Sequence, residues 1–200
     1  SMYRFIETIR IDQKGPGNLP YHNDRLNRTR QAFFHTDKII DINDHLKKIP
    51  SFNKSKIIRC TIHYDREINE INFLPYQKKT IHKLKLIYND TIDYPYKYED
   101  RNELLKLYSM KQDCDEIIII KNGFISDTSY ANLVFYDGSG YFTPSTPLLK
   151  GTMRAYLLEK GMISEKKIRP EDLKNYSSVG LINAMLNMTD YKIDINNIIP

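Results

Sequence analysis

Along most of the chain apolar and polar positions alternate at the two-residue period of strands, and only short stretches keep the wider period of a helix. Residues 3–11 set Tyr3, Phe5, Glu7, Ile9 and Ile11 against Arg4, Ile6, Thr8 and Arg10, predicting a strand with one face more polar than the other. Gly15-Pro16-Gly17 breaks it, and from Asn23 a helix carries Leu26, Thr29, Arg30 and Phe33 down one side to His35, capped by Asn23 or Asp24. Residues 44–48 read as a short helix stopped by Pro50. Residues 56–64 and 67–75 read as two strands about an Asp65-Arg66 turn, 76–79 as a linker and 81–88 as the first strand of a second domain. A helix follows with Leu104, Leu105, Leu107 and Tyr108.

The clearest pattern lies between residues 115 and 161. Residues 116–121 form an apolar run with four isoleucines, Asn122-Gly123 is a strong two-residue hairpin signal, and 124–127 return antiparallel. Residues 132–136 predict another strand, turned at Asp137-Gly138-Ser139-Gly140 and returning to Thr143-Pro144. A helix starts at Gly151 and ends at Gly161, a plausible C′ glycine. Beyond it come an extended piece at 166–170, a polar helix at 171–176, an apolar strand at 179–186 interrupted by Asn183, and an edge strand at 190–199.

Length and composition add a soluble protein of one domain or two small ones, with enough apolar content for a core. No run approaches the ~18 apolar residues of a membrane span, and Ser1-Met2-Tyr3-Arg4 does not read as a secretory leader. Cys60 and Cys114 lie far apart without metal-ligand spacing, so reduced thiols in a cytoplasmic setting and no metal site are expected. The 30 Lys and Arg against 25 Asp and Glu suit small anions better than nucleic acid, because the basic clusters at 77–85 and 160–169 are interleaved with apolar residues as solvated sheet faces are.

Five places could carry chemistry, each with a plainer alternative. Asp127, opening Asp127-Thr128-Ser129-Tyr130-Ala131-Asn132, could hold a proton on a buried ring nitrogen or serve as a turn or cap residue. Leu149-Lys150-Gly151-Thr152-Met153-Arg154 joins a loop to a helix start, where unpaired N–H groups form an anion site, or is only a chain reversal. Arg25, placed by this reading in a helix's first turn, gains nothing there from the helix dipole; a planar guanidinium suits bidentate capture of phosphate, but it could equally be a surface arginine. Lys97, between Tyr96 and Tyr98, could be solvated or a reactive amine. Asn183, in an apolar strand, must satisfy its amide on the protein or on a ligand.

In order, His22-Asn23-Asp24-Arg25-Leu26, Lys97, Asp127 to Asn132, Thr143-Pro144 and Leu149 to Arg154 resemble the class IV aminotransferases, the fold-type IV pyridoxal-phosphate enzymes. The resemblance covers nearly the whole chain. It implies an α+β two-domain fold, with a small α+β N-terminal domain at 1–78 and a mainly β, pseudo-barrel C-terminal domain at 79–200 that binds pyridoxal 5′-phosphate. It further implies Lys97 as the Schiff-base lysine, Asp127 at the ring nitrogen, and Arg25, Gly151, Thr152, Met153, Asn183 and Ala184 around the phosphate. His22 is expected to be structural. Lys97 to Arg101 in the form Lys-x-x-x-Arg, Gly151-Thr152-Met153-Arg154 in place of Gly-x-Thr-Arg, and Asn183-Ala184 in place of a Ser/Thr pair lean toward the family's 4-amino-4-deoxychorismate lyases. Those enzymes eliminate pyruvate from a small amino substrate to leave p-aminobenzoate for folate. The alternatives are a branched-chain or D-amino-acid transaminase and a cofactor-free binding protein; a homodimer is expected, as is typical of the family. Two departures stand out: Asp127 replaces the usual glutamate, and the family's Gly-Asp-Gly segment does not precede the Phe5-x-Glu7-Thr8-x-Arg10 strand.

Overall fold

Alternation in the first strand lays down the core of an N-terminal unit formed by Ser1–Lys78 and Tyr96–Asp100 in the computed structural model, which describes residues 3–51 and 56–200. The reading of the chain start thus falls partly outside the described residues. β1 (Phe5–Asp12), β2 (Gly15–Pro16), α1 (Leu19–Phe34), β3 (Ile58–Tyr64) and β4 (Ile68–Pro75) follow one another, and the strands form an antiparallel sheet in the order β2-β1-β3-β4. β1 buries every second residue, so Phe5, Ile9 and Ile11 join Ile58, Cys60, Ile62 and Tyr64 of β3 and Leu26 of α1. Burying each such side chain is worth roughly 1.5–3 kcal/mol. Glu7 occupies the same inward register as these apolar residues and is fully buried.

α1 begins at Leu19, a turn earlier than the pattern predicts, after Asn18 in left-handed backbone and with proline in its opening positions. Asn23 does not cap it: the side-chain oxygen accepts from Ile42 N–H and the amide donates to Asp41. Arg25 therefore lies in the second turn, and the argument that it sits against the positive end of the helix falls away. The helix predicted at 44–48 is a single 3-10 turn, Ile42–His45, capped by Asp41.

The second unit comprises Lys79–Pro95 and Arg101–Pro200. β5 (Leu84–Tyr88), α2 (Asn102–Tyr108), β6 (Glu116–Lys121), β7 (Phe124–Ile125), β8 (Asn132–Tyr136), β9 (Tyr141–Pro144), α3 (Thr152–Glu159), β10 (Ser164–Lys166), β11 (Ser178–Ile182), β12 (Ile193–Asp194) and β13 (Ile198–Ile199) build two sheets, β13-β5-β6-β7 and β10-β9-β8-β11-β12. β6 pairs in parallel with β5 and is buried on both faces, which explains its continuous apolar run. Asn122 and Gly123, both with positive φ, make the tight turn into β7. α3 sets Leu157 on Val134, Ile163 and Ile182, and Gly161, with φ of +69°, ends it. The helix predicted at 171–176 is 3-10, Pro170–Asn175, and Asn183 lies just beyond β11 instead of inside a strand.

Lys97 lies in the first unit, although the predicted boundary put it in the second. Tyr98 bridges to Phe5, Ile6 N–H donates to the Lys97 carbonyl, and Glu99 N–H donates to the Arg4 carbonyl. The Tyr96 and Tyr98 rings pack with Phe33 and Phe5, so the aromatics flanking the lysine belong to that core.

Candidate active site

In the first unit Glu7 is the centre of a buried polar cluster. Its carboxylate receives Arg25 Nε on one oxygen and Arg25 Nη2 on the other, each at 2.8 Å, and His22 Nδ1 lies 2.7 Å from Oε1. Burial alone would raise the Glu7 carboxyl, but the Arg25 charge and the bonds from His22 and Arg25 bring it down to about 2. A carboxylate that low has no proton to share, so Nδ1 is the donor and His22 keeps a bare, fully buried Nε2 without a hydrogen-bond partner. Burial lowers the His22 pKa, and the positive charges of Arg25 and Lys97 lower it further. The arginine expected at a phosphate is thus oriented by an internal acid, which His22 also contacts.

In the second unit the Asp127 carboxylate is buried where the β7 strand has ended. Oδ1 accepts from Asn132 Nδ2 at 2.8 Å, while Oδ2 accepts from Leu148 and Leu149 N–H at 2.9 and 3.0 Å. Burial pushes its pKa up to about 6, against the pull of those donors and of the Arg154 charge. Asn132 continues the chain of contacts: its amide donates to the Leu149 carbonyl and its oxygen accepts from Gly151 N–H. A Cβ at Gly151 would stand 2.4 Å from that oxygen, so any larger residue would have to push the Asn132 side chain off its partners. Thr152 opens α3 with a buried hydroxyl that has no hydrogen-bond partner; the helix has no side-chain cap, and its first turn holds no acid. Buried polar groups are rarely left so. Asn183 donates to the Tyr130 carbonyl and accepts from Met185 N–H, so both ends of its amide are met by protein.

The expected residues therefore divide into two groups. Arg25 and Lys97 belong to one unit; Asp127, Gly151, Thr152, Met153, Asn183 and Ala184 belong to the other, where Asn132 joins Asp127 to Gly151 and Asn183 holds the Tyr130 carbonyl. Among the described residues no cluster of His, Cys, Asp or Glu could hold a metal, and no helix is long and apolar enough to cross a membrane. Burial raises the Cys60 thiol to about 12, leaving it without nucleophilic character at neutral pH.

Known proteins share this two-sheet frame and identify the family to which it belongs. Residues 4–192 match the family model for amino-transferase class IV, and the chain belongs to that family. It is 36% identical over 185 residues to an uncharacterised protein of Haemophilus influenzae, covering 92% of this chain and 98% of that one. The crystal structure of a protein of Haemophilus somnus, provisionally named a 4-amino-4-deoxychorismate lyase, superposes with a TM-score of 0.88 at 36% identity, over 94% of this chain and 98% of that one. A hypothetical aminotransferase of Mycobacterium tuberculosis, in a PLP-bound form, shares the fold at a TM-score of 0.76 and 13% identity, over 98% of this chain and 81% of that one. The family's members are pyridoxal-phosphate-dependent enzymes. The start of α3 fits that cofactor's phosphate: the partnerless Thr152 hydroxyl and the uncapped helix start are donors an anion needs, while the Gly151 N–H before them is already held by Asn132.

Two acids, Glu7 and Glu116, have buried partners that the sequence does not announce. Glu7 sits in register with Phe5 and Ile9, which already signals a buried carboxylate needing a cation. Glu116, at the head of the isoleucine run, is fully buried and accepts from Ser129 Oγ at 2.6 Å; nothing in the local pattern distinguishes it from a strand-end charge.

Proposed function

We propose that this chain is a pyridoxal-phosphate enzyme of the 4-amino-4-deoxychorismate lyase kind, cleaving pyruvate from a small amino-bearing substrate. The observation that carries the cofactor part is the buried, partnerless Thr152 hydroxyl at an uncapped helix start. The lyase part is supported by 36% identity to the provisionally named lyase across nearly both whole chains, and by Lys97 and Arg101 in the Lys-x-x-x-Arg form. When bound, the cofactor supplies an electron-withdrawing ring. Gly151, Thr152 and Met153 would hold its phosphate at the start of α3, with Asn183 and Ala184 beside them. On the family's order of motifs, Arg25 would supply the cation for that phosphate and Lys97 the amine that carries the cofactor. Glu7 takes two of the Arg25 nitrogens and so sets the plane of the guanidinium.

Asp127 would face the ring nitrogen. Three donors fill three of the roughly four acceptor directions of its carboxylate, leaving one for a ring N–H. The Lys97 amine would take the proton from the substrate's α-carbon and return one to the departing enolpyruvyl group, a general base and then a general acid at one nitrogen. Such a lysine works only when a neighbouring cation or desolvation leaves part of it neutral. Lys97 is half-buried.

The test is borohydride reduction of the purified protein followed by peptide mapping, with pyruvate release measured on aminodeoxychorismate. Label on Lys97 and pyruvate without an amino acceptor are expected. Label on another lysine would overturn the assignment, and amino transfer to a keto acid would make the chain a transaminase. Loss of one charge-assisted contact in Arg25→Ala should cost roughly 1.5–3 kcal/mol, about one to two decades of cofactor affinity; unchanged affinity would remove Arg25 from the site.

A further inference from the structure

Ser129 stands in the middle of the Asp127 to Asn132 segment and is gripped from two directions. Its hydroxyl donates to Glu116 Oε1 at 2.6 Å and its N–H to Glu116 Oε2 at 3.2 Å, while its carbonyl accepts from Arg101 Nη2 at 2.7 Å. Glu116 is fully buried in the first position of β6, and its Oε2 is steadied by Ile117 N–H at 2.7 Å. Arg101 is the arginine of the Lys-x-x-x-Arg motif and the first residue of the second unit after the lysine segment Tyr96–Asp100. It stands at the N-cap of α2 and makes no side-chain cap bond, since a donor-only guanidinium cannot accept from helix N–H groups. The next peptide is also held: the Tyr130 carbonyl accepts from Asn183 Nδ2 at 3.2 Å.

We infer that Ser129, held between Glu116 and Arg101, is the positioning node of the site: it fixes the loop whose two ends, Asp127 and Asn132, carry Leu148, Leu149 and Gly151. The inference rests on the proposed reaction only for its catalytic consequence. Arg101 ties the residue at the head of α2 to the backbone of the acid segment, and a carbonyl accepts a guanidinium N–H whatever side chain its residue bears. Burying Glu116 is the cost of this device, since burial raises its pKa while the Ile117 and Ser129 donors lower it. Burying an acid at the head of a strand does nothing for the core, so its use lies in what it holds.

The experiment joins hydrogen exchange on the cofactor-free protein to kinetics on the loaded one. In Arg101→Ala and Glu116→Ala, amide exchange at residues 127–131 should rise about tenfold or more, with β8 and β11 unchanged. In the pyruvate-release assay kcat should fall about tenfold or more with KM within about threefold, the mark of lost alignment as opposed to lost binding. Lys97 should still take the borohydride label. Should Glu116→Ala fail to fold, Ser129→Ala removes only the hydroxyl contact and carries the same measurements with a smaller rise. Exchange that stays at the parental rate overturns the node, and so does faster exchange with undiminished kcat, which would make the grip merely structural. If the parent itself takes no label on Lys97, the reaction reading fails, and the exchange arm alone decides whether Ser129 is held.

Discussion

Two carboxylates, Glu7 and Asp127, are both buried and each takes three hydrogen bonds, yet their pKa values move in opposite directions from the ordinary range. Glu7 is brought down to about 2 and Asp127 pushed up to about 6. Burial raises both, so the difference lies in the donors. Glu7 faces the full charge of Arg25 through two bonds and an imidazole through a third; Asp127 faces two backbone N–H groups and an amide, with the Arg154 charge a lesser contribution. Neutral donors satisfy a carboxylate without neutralising it. Glu7 is thus a permanent anion that orients a cation, while Asp127 stands where arrival of a positive group, such as a protonated ring nitrogen, would matter most to its state.

The largest expected effect is on stability. Glu7→Ala leaves Arg25 buried without its counter-charge and should lose roughly 3–5 kcal/mol, whereas Asp127→Ala removes only neutral contacts and should lose roughly 1–3 kcal/mol. Urea unfolding measures both, and equal losses would abolish the contrast.

The pH dependence sharpens it further. Glu7, held at about 2 against an ordinary 4.5, contributes stability that is present above pH 4.5 and lost as pH falls toward 2. Asp127, at about 6 against 3.8, contributes most below pH 3.8 and loses that contribution as pH rises through about 6. Each shift corresponds to roughly 3 kcal/mol. Melting curves between pH 3 and 7 should show Asp127→Asn removing the alkaline-side loss and Glu7→Gln removing the acid-side one; a shared direction would contradict the assignment.

On turnover, Asp127→Asn keeps size and most hydrogen bonds but deletes the charge. Cofactor binding should stay near parental while turnover drops about a hundredfold or more, the scale of a lost charge-stabilising group. Full turnover would return Asp127 to a purely loop-holding role. The smallest effect concerns the neighbouring loop: Gly151→Ala drives a methyl into the Asn132 oxygen and should cost roughly 1–3 kcal/mol, with half or more restored by Asn132→Ala in a thermal melt. No restoration would mean that another contact makes the glycine necessary.

Much of this was legible in one dimension. The alternation at 3–11, the isoleucine run, Asn122-Gly123 and Gly161 are local signals, and β1, β6, the tight turn and the end of α3 appear where they point. The motif order likewise identifies the family, because spacing along a chain is a property of the chain. The start of α1 was not legible, since Asn23 is drawn away from capping by Ile42 and Asp41, residues distant in sequence.

The side-chain partnerships were decided only by the tertiary structure. Arg25 looked like a lone cation, and only the β1 register brings Glu7 beneath it; Asp127 looked like a strand-end acid, and only the returning loop supplies its two N–H donors. Lys97 was visible, but its place in the first unit comes from aromatic packing and backbone bonds to β1 that no local pattern encodes. Hydrophobic period and turn chemistry act between neighbours and can be read from residues alone, whereas a buried charge acquires its state from whichever groups folding places against it.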